Sequence, residues 1–308
     1  FVTIIPDGAS SCTIVNVQQS DVGGSVPPKI MDLQVSRGLK SVFQLREKFN
    51  RDDEIDKNER EKLMETMRNS DQEVYDSSEL LLIDSVRKKM ENISEDLFRP
   101  LASPDFRTKM SLAHIDGENI GIMRCETTID TSVEECAAYV FSIMSRKRMR
   151  ENQGSDTVYR QAEKINNHAL HYNKIIDLGF GLNYRRFLTH QVWKQTDDSG
   201  IILAFGDIGE SEHFPNVASE KDRHIITAHS SGCCWSKAEK SGFTKLIFFM
   251  QVDLGGIIPA FVADIVAVDF LSEYSSLREY FCMDREIDED ARRSIISSID
   301  RDNIILTG

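Results

Sequence analysis

Seven histidines and six cysteines are the side chains of this sequence with chemistry suited to catalysis or metal binding. His224 and His229 stand five apart in a strand-like stretch and His168 and His171 stand three apart, so each pair points to opposite faces and cannot share a metal ion. His190 alternates with Thr189 and Gln191, and faces out if they face in. Glu210, Glu212 and His213 fall in a polar, proline-containing loop, an exposed setting that does not suit acid–base work. Cys12, Cys125, Cys136, Cys233, Cys234 and Cys282 form no C-x-x-C pair, and no histidine lies at zinc-finger spacing from them. Cys233 and Cys234 are adjacent in a strand-like stretch and point to opposite faces, which reads as buried, reduced thiols of an intracellular protein. No G-x-S-x-G elbow, P-loop or dinucleotide fingerprint is present. These observations point away from an enzyme, and no cofactor or metal is expected.

The elements that position these residues must come from 308 residues of ordinary globular composition, 40% hydrophobic and 28% charged, enough for a sizeable core. A net charge of −13 argues against a nucleic-acid partner, which needs a basic stripe, and against broad adsorption to anionic membranes, though a local basic patch could still act. The longest apolar stretch, Ile257 to Leu271, is interrupted by Asp264 and Asp269 and is too short and too charged to span a bilayer. The chain opens Phe1-Val2-Thr3 with no methionine and no signal peptide, and is expected to be a fragment or processed product of a cytoplasmic protein.

An internal repeat organises the chain. Shifted by 232 positions, residues 21–60 align with 253–292 without a gap, and fifteen of the 40 positions are identical. Chance gives about two or three. The matches include Asp21/Asp253, Gly23/Gly255, Gly24/Gly256, Pro27/Pro259, Leu45/Leu277, Arg46/Arg278 and Phe49/Phe281. In each copy a strand-like run leads into a Gly-Gly turn, and a proline stands where a helix can begin. The second helix carries a stripe of Val266, Phe270, Tyr274, Leu277 and Phe281, and its first half is apolar nearly all round, so it must bury several sides.

Between the copies, the charge-rich stretch 51–70 reads as a solvated linker or frayed helix. A helix is predicted near 73–98, strands near 106–114 and 120–129, and a second helix opened by a capping box, Thr131-x-x-Glu134. Its basic end, Arg146 to Arg150, suits a helix dipole. Strands are predicted near 158–163, 168–177, 185–195, 201–208, 223–236 and 243–252, before the last helix. This order predicts an α+β fold in which an antiparallel sheet bends around one helix.

Two stretches carry a resemblance to a known family. Leu178-Gly-Phe-Gly-Leu-Asn-Tyr-Arg-Arg-Phe187, with its strand ending in Val192-Trp193, and Gln251-Val-Asp-Leu-Gly-Gly-Ile-Ile-Pro259 before the last helix resemble landmarks of the START (StAR-related lipid-transfer) family. The resemblance covers about residues 70–285. It implies a helix-grip fold, a curved antiparallel sheet wrapped around a long C-terminal helix and enclosing an apolar tunnel for one lipid. On this reading 1–60 are the C-terminal part of a first such domain, 61–70 an acidic linker, 71–290 a complete domain and 291–308 a tail or linker. The family's usual Arg-Asp pair is Arg185-Arg186 here. Sterol-binding members tend to carry a buried carboxylate and arginine where Tyr172 and Gln191 stand, which weakens a sterol reading and leaves the head-group chemistry open.

The resemblance implies a lipid or other apolar small molecule as partner, with transient membrane contact, carried or sensed without catalysis. The alternatives are a cyclase-like enzyme of the same superfamily, which needs two titratable groups converging in the tunnel, and a regulatory scaffold that senses a lipid. The expected tunnel wall comprises Tyr172, Phe187, Thr189, Gln191 and Trp193 from strands, with Val262, Val266 and Phe270 from the last helix. Two glycine-containing loops are expected to gate it, through Phe180 and Leu182 in one and Ile257 and Ile258 in the other. Changing Phe180 and Ile257 to serine is expected to slow lipid uptake from vesicles while costing only about 1–3 kcal/mol of stability. Outright unfolding of the double variant would mark both as core, and uptake at the wild-type rate would remove the loops as gate.

Overall fold

Alternation of β-branched and aromatic residues with polar ones becomes strand pairing in the computed structural model. It describes residues 2–6, 12–17, 52–114, 120–151, 156–179, 181–208, 214, 224–239, 242–256, 258 and 260–281. The chain divides into two compact units, Phe1–Asp56 and Lys57–Gly308. In the first, β1 (Val2–Pro6) and β2 (Cys12–Asn16) form an antiparallel hairpin whose Ile4, Ile5 and Val15 side chains are exposed. The first copy's Gly23-Gly24 and Pro27 lie outside the described residues, as does the chain beyond Phe281.

The charge-rich stretch after it is not an extended linker. It forms α1 (Asp52–Arg68), and from Leu63 onward its apolar spacing packs Leu63, Met64 and fully buried Met67 into the main core. The helix α2 (Ser77–Asn92) starts later than predicted because Asp76 caps it in a reciprocal box with Glu79. Then come β3 (Arg99–Leu101), β4 (Lys109–His114), β5 (Ile120–Ile129), α3 (Val133–Phe141) and α4 (Arg146–Glu151). The cap of α3 is Ser132, whose hydroxyl accepts from the Glu135 amide, one residue after the predicted box. This helix ends at Phe141, where the Ser142 hydroxyl turns back to the Ala138 carbonyl. The basic run therefore forms a helix of its own and does not complement the dipole of α3.

Six strands follow, β6 (Thr157–Lys164), β7 (Ala169–Ile176), β8 (Tyr184–Gln195), β9 (Ile201–Asp207), β10 (Ile225–Ala238) and β11 (Thr244–Asp253), and then α5 (Ala260–Tyr280). Strands β3 to β11 form one nine-stranded sheet in the order β3-β4-β5-β11-β10-β9-β8-β7-β6. Its pairings are antiparallel except one. Where the short β9 ends, β10 pairs in parallel with β8, from Ile225↔Tyr184 to Ala228↔Phe187.

Strand parity sorts the sheet's two faces. Phe187, Trp193, Leu203, Cys234 and Phe248 join the core that α3 and α5 cover. Val192, Ile202, Cys233, Trp235 and Phe249 join the opposite core, with Ile83 and Val86 of α2. Cys233 and Cys234 thus face opposite cores, both buried, and burial pushes the Cys233 thiol up to about 12. Among the described residues no helix is long and apolar enough to cross a membrane.

A buried histidine ties the chain before α2 to the hairpin of β6 and β7. His168 Nδ1 lies 2.7 Å from a Glu73 oxygen and its Nε2 lies 3.1 Å from a Glu79 oxygen. The Tyr75 ring packs on the imidazole at 4.3 Å between centroids. Removing the ring leaves two carboxylates buried together, so His168→Ala is expected to cost about 3–5 kcal/mol in urea denaturation. A loss below about 1 kcal/mol would show that these contacts do not hold the helix to the sheet.

Candidate functional site

The two motif stretches meet at the start of α5. Arg185, 3% exposed, donates to the carbonyls of Leu254 and of Gly255, the latter at 3.1 Å, and to that of Asn183 at 2.7 Å. Gly255 has φ 66°, and a Cβ there would lie 3.2 Å from the Thr227 carbonyl oxygen, so the turn requires glycine. Arg186 donates instead to Asn173 Oδ1 at 3.2 Å. Arg185 thus finds backbone acceptors for its Nε, Nη1 and Nη2 groups, with Arg186 and not an aspartate beside it.

Beyond this turn α5 lies against the concave face without filling it. An inner chamber of about 130 Å³ is walled by Phe187, Thr189, Gln191, Leu203 and Phe248 of the sheet and by Phe270 and Tyr274 of the helix. A groove of about 690 Å³ runs outside it between α5, α4 and the β6–β7 edge, past Ile176, Ile265 and Val266. Arg148, Lys174, Phe270 and Glu273 line both spaces and so stand at their junction. The groove falls within the range of about 300–1,000 Å³ common for ligand sites, and the chamber alone does not.

The wall is not purely apolar, as the expected tunnel is. Arg148 Nη2 lies 3.5 Å from a Glu273 oxygen, and Arg148 Nη1 donates to the Val140 carbonyl at 3.2 Å. The Arg148 guanidinium sits over the Tyr139 ring at 4.8 Å, and the Lys174 ammonium sits 5.1 Å from the Phe270 ring centroid. From β6, Arg160 donates to Thr157 Oγ1 at 3.3 Å, while its buried Nε has no partner among the described residues. Burial lowers the Lys174 pKa, against the pull of Glu273. For Glu273 desolvation acts upward, but Arg148, Lys174 and Arg160 outweigh it and hold the carboxyl below its usual range. Burial raises the Tyr172 phenol to about 12.

Of the expected wall residues, Tyr172, Phe187, Thr189, Gln191 and Phe270 line the chamber together. Val266 lines the groove and also a separate 200 Å³ cavity with Ile258 and Leu254. Val262 is buried in the core. Trp193 has the right parity but sits farther along β8, fully buried, its Nε1 donating to the Asn167 carbonyl at 3.2 Å. Of the expected gate residues, Leu182 and Ile258 pack against the concave core, and Phe180 and Ile257 lie outside the described residues. So do Glu210, Glu212 and His213. His190 turns away from the chamber, as its alternation predicts, but it is half-buried beside His171, at 5.3 Å between centroids. The charged junction is what sequence reading missed. Lys174 was within reach of it, being two residues from Tyr172 and therefore on the same face.

No protein-family model matches the chain, and no curated protein matches it in sequence. Solved structures match it in fold. Human StAR-related lipid transfer protein 5 is 14% identical with a TM-score of 0.51, over 67% of this chain and 98% of that one. Human STARD10 is 12% identical with a TM-score of 0.49, over 71% and 84% of the two chains. The Zhui aromatase/cyclase from Streptomyces sp. R1128 is 10% identical with a TM-score of 0.33, over 51% and 89%. The fold of Lys57–Gly308 is thus the α+β helix-grip of START domains, a curved antiparallel sheet with a C-terminal helix, as the two motif stretches imply.

The Lys174 shift has a signed consequence. A lysine whose folded pKa lies below its ordinary value of 10.5 penalises the folded state at pH values below the folded pKa, and the penalty vanishes above 10.5. Lys174→Met is therefore expected to raise the urea midpoint at pH 7, with the gain fading as the pH rises from the folded pKa towards about 10.5 and absent above it. A gain that stays constant across this range would assign the effect to side-chain fit and not to charge.

Proposed function

We propose that the second unit is a lipid-binding module that holds one amphiphilic ligand between the concave sheet and α5, and carries or senses it. The observation that carries this reading is the groove of about 690 Å³, which shares Arg148, Lys174, Phe270 and Glu273 with the inner chamber under a helix whose apolar face does not fill the sheet. The name of human StAR-related lipid transfer protein 5, whose fold this unit shares, supports the same ligand class. The internal repeat further supports reading residues 1–60 as the end of a preceding copy, and 71–290 as the complete one. Loading from a membrane calls for transient contact at the tunnel mouth, where Phe180, Leu182, Ile257 and Ile258 remain the proposed gate, and the chain's net charge of −13 gives no role to nucleic acid.

A cyclase-like enzyme is a second reading, and one observation favours it. Tyr172, Lys174 and Glu273 converge on the chamber, so titratable groups do meet there. Recovery of a bound compound chemically unchanged after prolonged incubation speaks for a carrier or sensor, and a converted product speaks for the enzyme.

The test of ligand holding is uptake of a fluorescent fatty acid or phospholipid from phosphatidylcholine vesicles. The chain is expected to take up one ligand per molecule. Thr189→Phe, which fills the chamber, is expected to cut uptake about tenfold while costing about 1–3 kcal/mol through overpacking. No uptake by the wild-type chain, or equal uptake by the variant, would contradict the proposed function.

A further inference from the structure

The site has a charge pattern that a purely apolar ligand does not need. Arg148, Arg160 and Lys174 come from three separate elements, α4, β6 and β7, and converge on one chamber wall whose one carboxylate among the described residues is Glu273. Glu273 lies 3.5 Å from Arg148, and among the described residues neither Lys174 nor Arg160 has an ion pair of its own. The Lys174 ammonium has no hydrogen bond or ion pair among the described residues, only the Phe270 ring at 5.1 Å. The buried Arg160 Nε is without an acceptor. Unsatisfied donors in a partly dry space are costly unless a ligand supplies the acceptors. The groove wall is of mixed sign, with Lys147 as well as Asp156, Asp177 and Asp269 along it. Burial and the neighbouring Asp156 raise the Asp269 pKa, a sign that negative charge is disfavoured there.

We propose that Arg148, Arg160 and Lys174 form a seat for the anionic group, carboxylate or phosphate, of an amphiphile whose apolar part lies along the chamber and groove. This deepens the lipid-binding reading and rests on it. Charge-assisted hydrogen bonds are about twice as strong as neutral ones, and they account for discrimination between ligands with the same apolar chain.

Oleate and oleyl alcohol share one chain and differ in the head group, and their dissociation constants for the full chain measure the seat. Oleate is expected to bind about tenfold more tightly. That ratio is expected to fall below about threefold in both Lys174→Met and Arg160→Gln, two variants on different strands, so that failure of one to fold leaves the other to decide. Glu273→Gln is expected to raise the ratio. Equal affinity for the two amphiphiles, or a ratio unchanged in the folded variants, would overturn the seat while leaving lipid binding intact. Binding of neither amphiphile would overturn the lipid-binding reading as well. Inorganic phosphate at about 10 mM is expected not to displace oleate, and displacement would reassign the cluster to a free small anion.

Discussion

Everything in the second unit depends on how one helix covers one concave face. A nine-stranded sheet presents more inward-facing apolar side chains than a single helix can cover, and α5 closes with them at particular points. Phe248 stacks on Tyr274 at 4.1 Å, Phe187 meets Phe270 edge-on at 6.0 Å, and Leu271 and Leu277 are buried. Between those contacts the surfaces stand apart, and the chamber and groove are the space that remains. The Arg185 bonds to Leu254 and Gly255 set where α5 departs from β11, and hence where that space lies.

The opposite face follows the same logic with a different result. There α2 lies on Ile202, Cys233 and Trp235, and Asp76, Glu79 and His168 at its start are paired locally, in the Asp76–Glu79 box and between His168 and two carboxylates. Polar groups on the concave side are only partly matched to one another. On the concave side the space left under the helix coincides with the unmatched Lys174 and Arg160 donors, and the proposed amphiphile would supply both the apolar filling and the missing acceptors.

How much of this was legible depended on distance along the chain. The strands at 158–163, 185–195 and 243–252 were readable because alternation is local, and the sheet keeps it. Cys233 and Cys234 on opposite faces, and Tyr172 with Thr189 and Gln191 on one, follow from period two alone. The charge-rich 51–70 stretch reads two ways, as solvated linker or frayed helix, because composition outweighs spacing there. Leu63, Met64 and Met67 lie three and four apart, which marks a helix face despite the surrounding charge. Arg148, Lys174 and Glu273 lie on a helix, a strand and a helix far apart in the chain, and only the sheet's curvature brings them together. Even so, Lys174 could have been placed from Tyr172 by parity, and Glu273 from Phe270 by helical spacing.

The central claim, that the space under α5 holds one ligand, is tested most directly by native mass spectrometry of the full chain after incubation with mixed-lipid vesicles and their removal. The account predicts a single noncovalent adduct of a few hundred daltons at one per chain, lost on denaturation and identifiable as an amphiphile. A chain that remains at its bare mass after incubation with a broad lipid mixture, while folded by its melting behaviour, would contradict it.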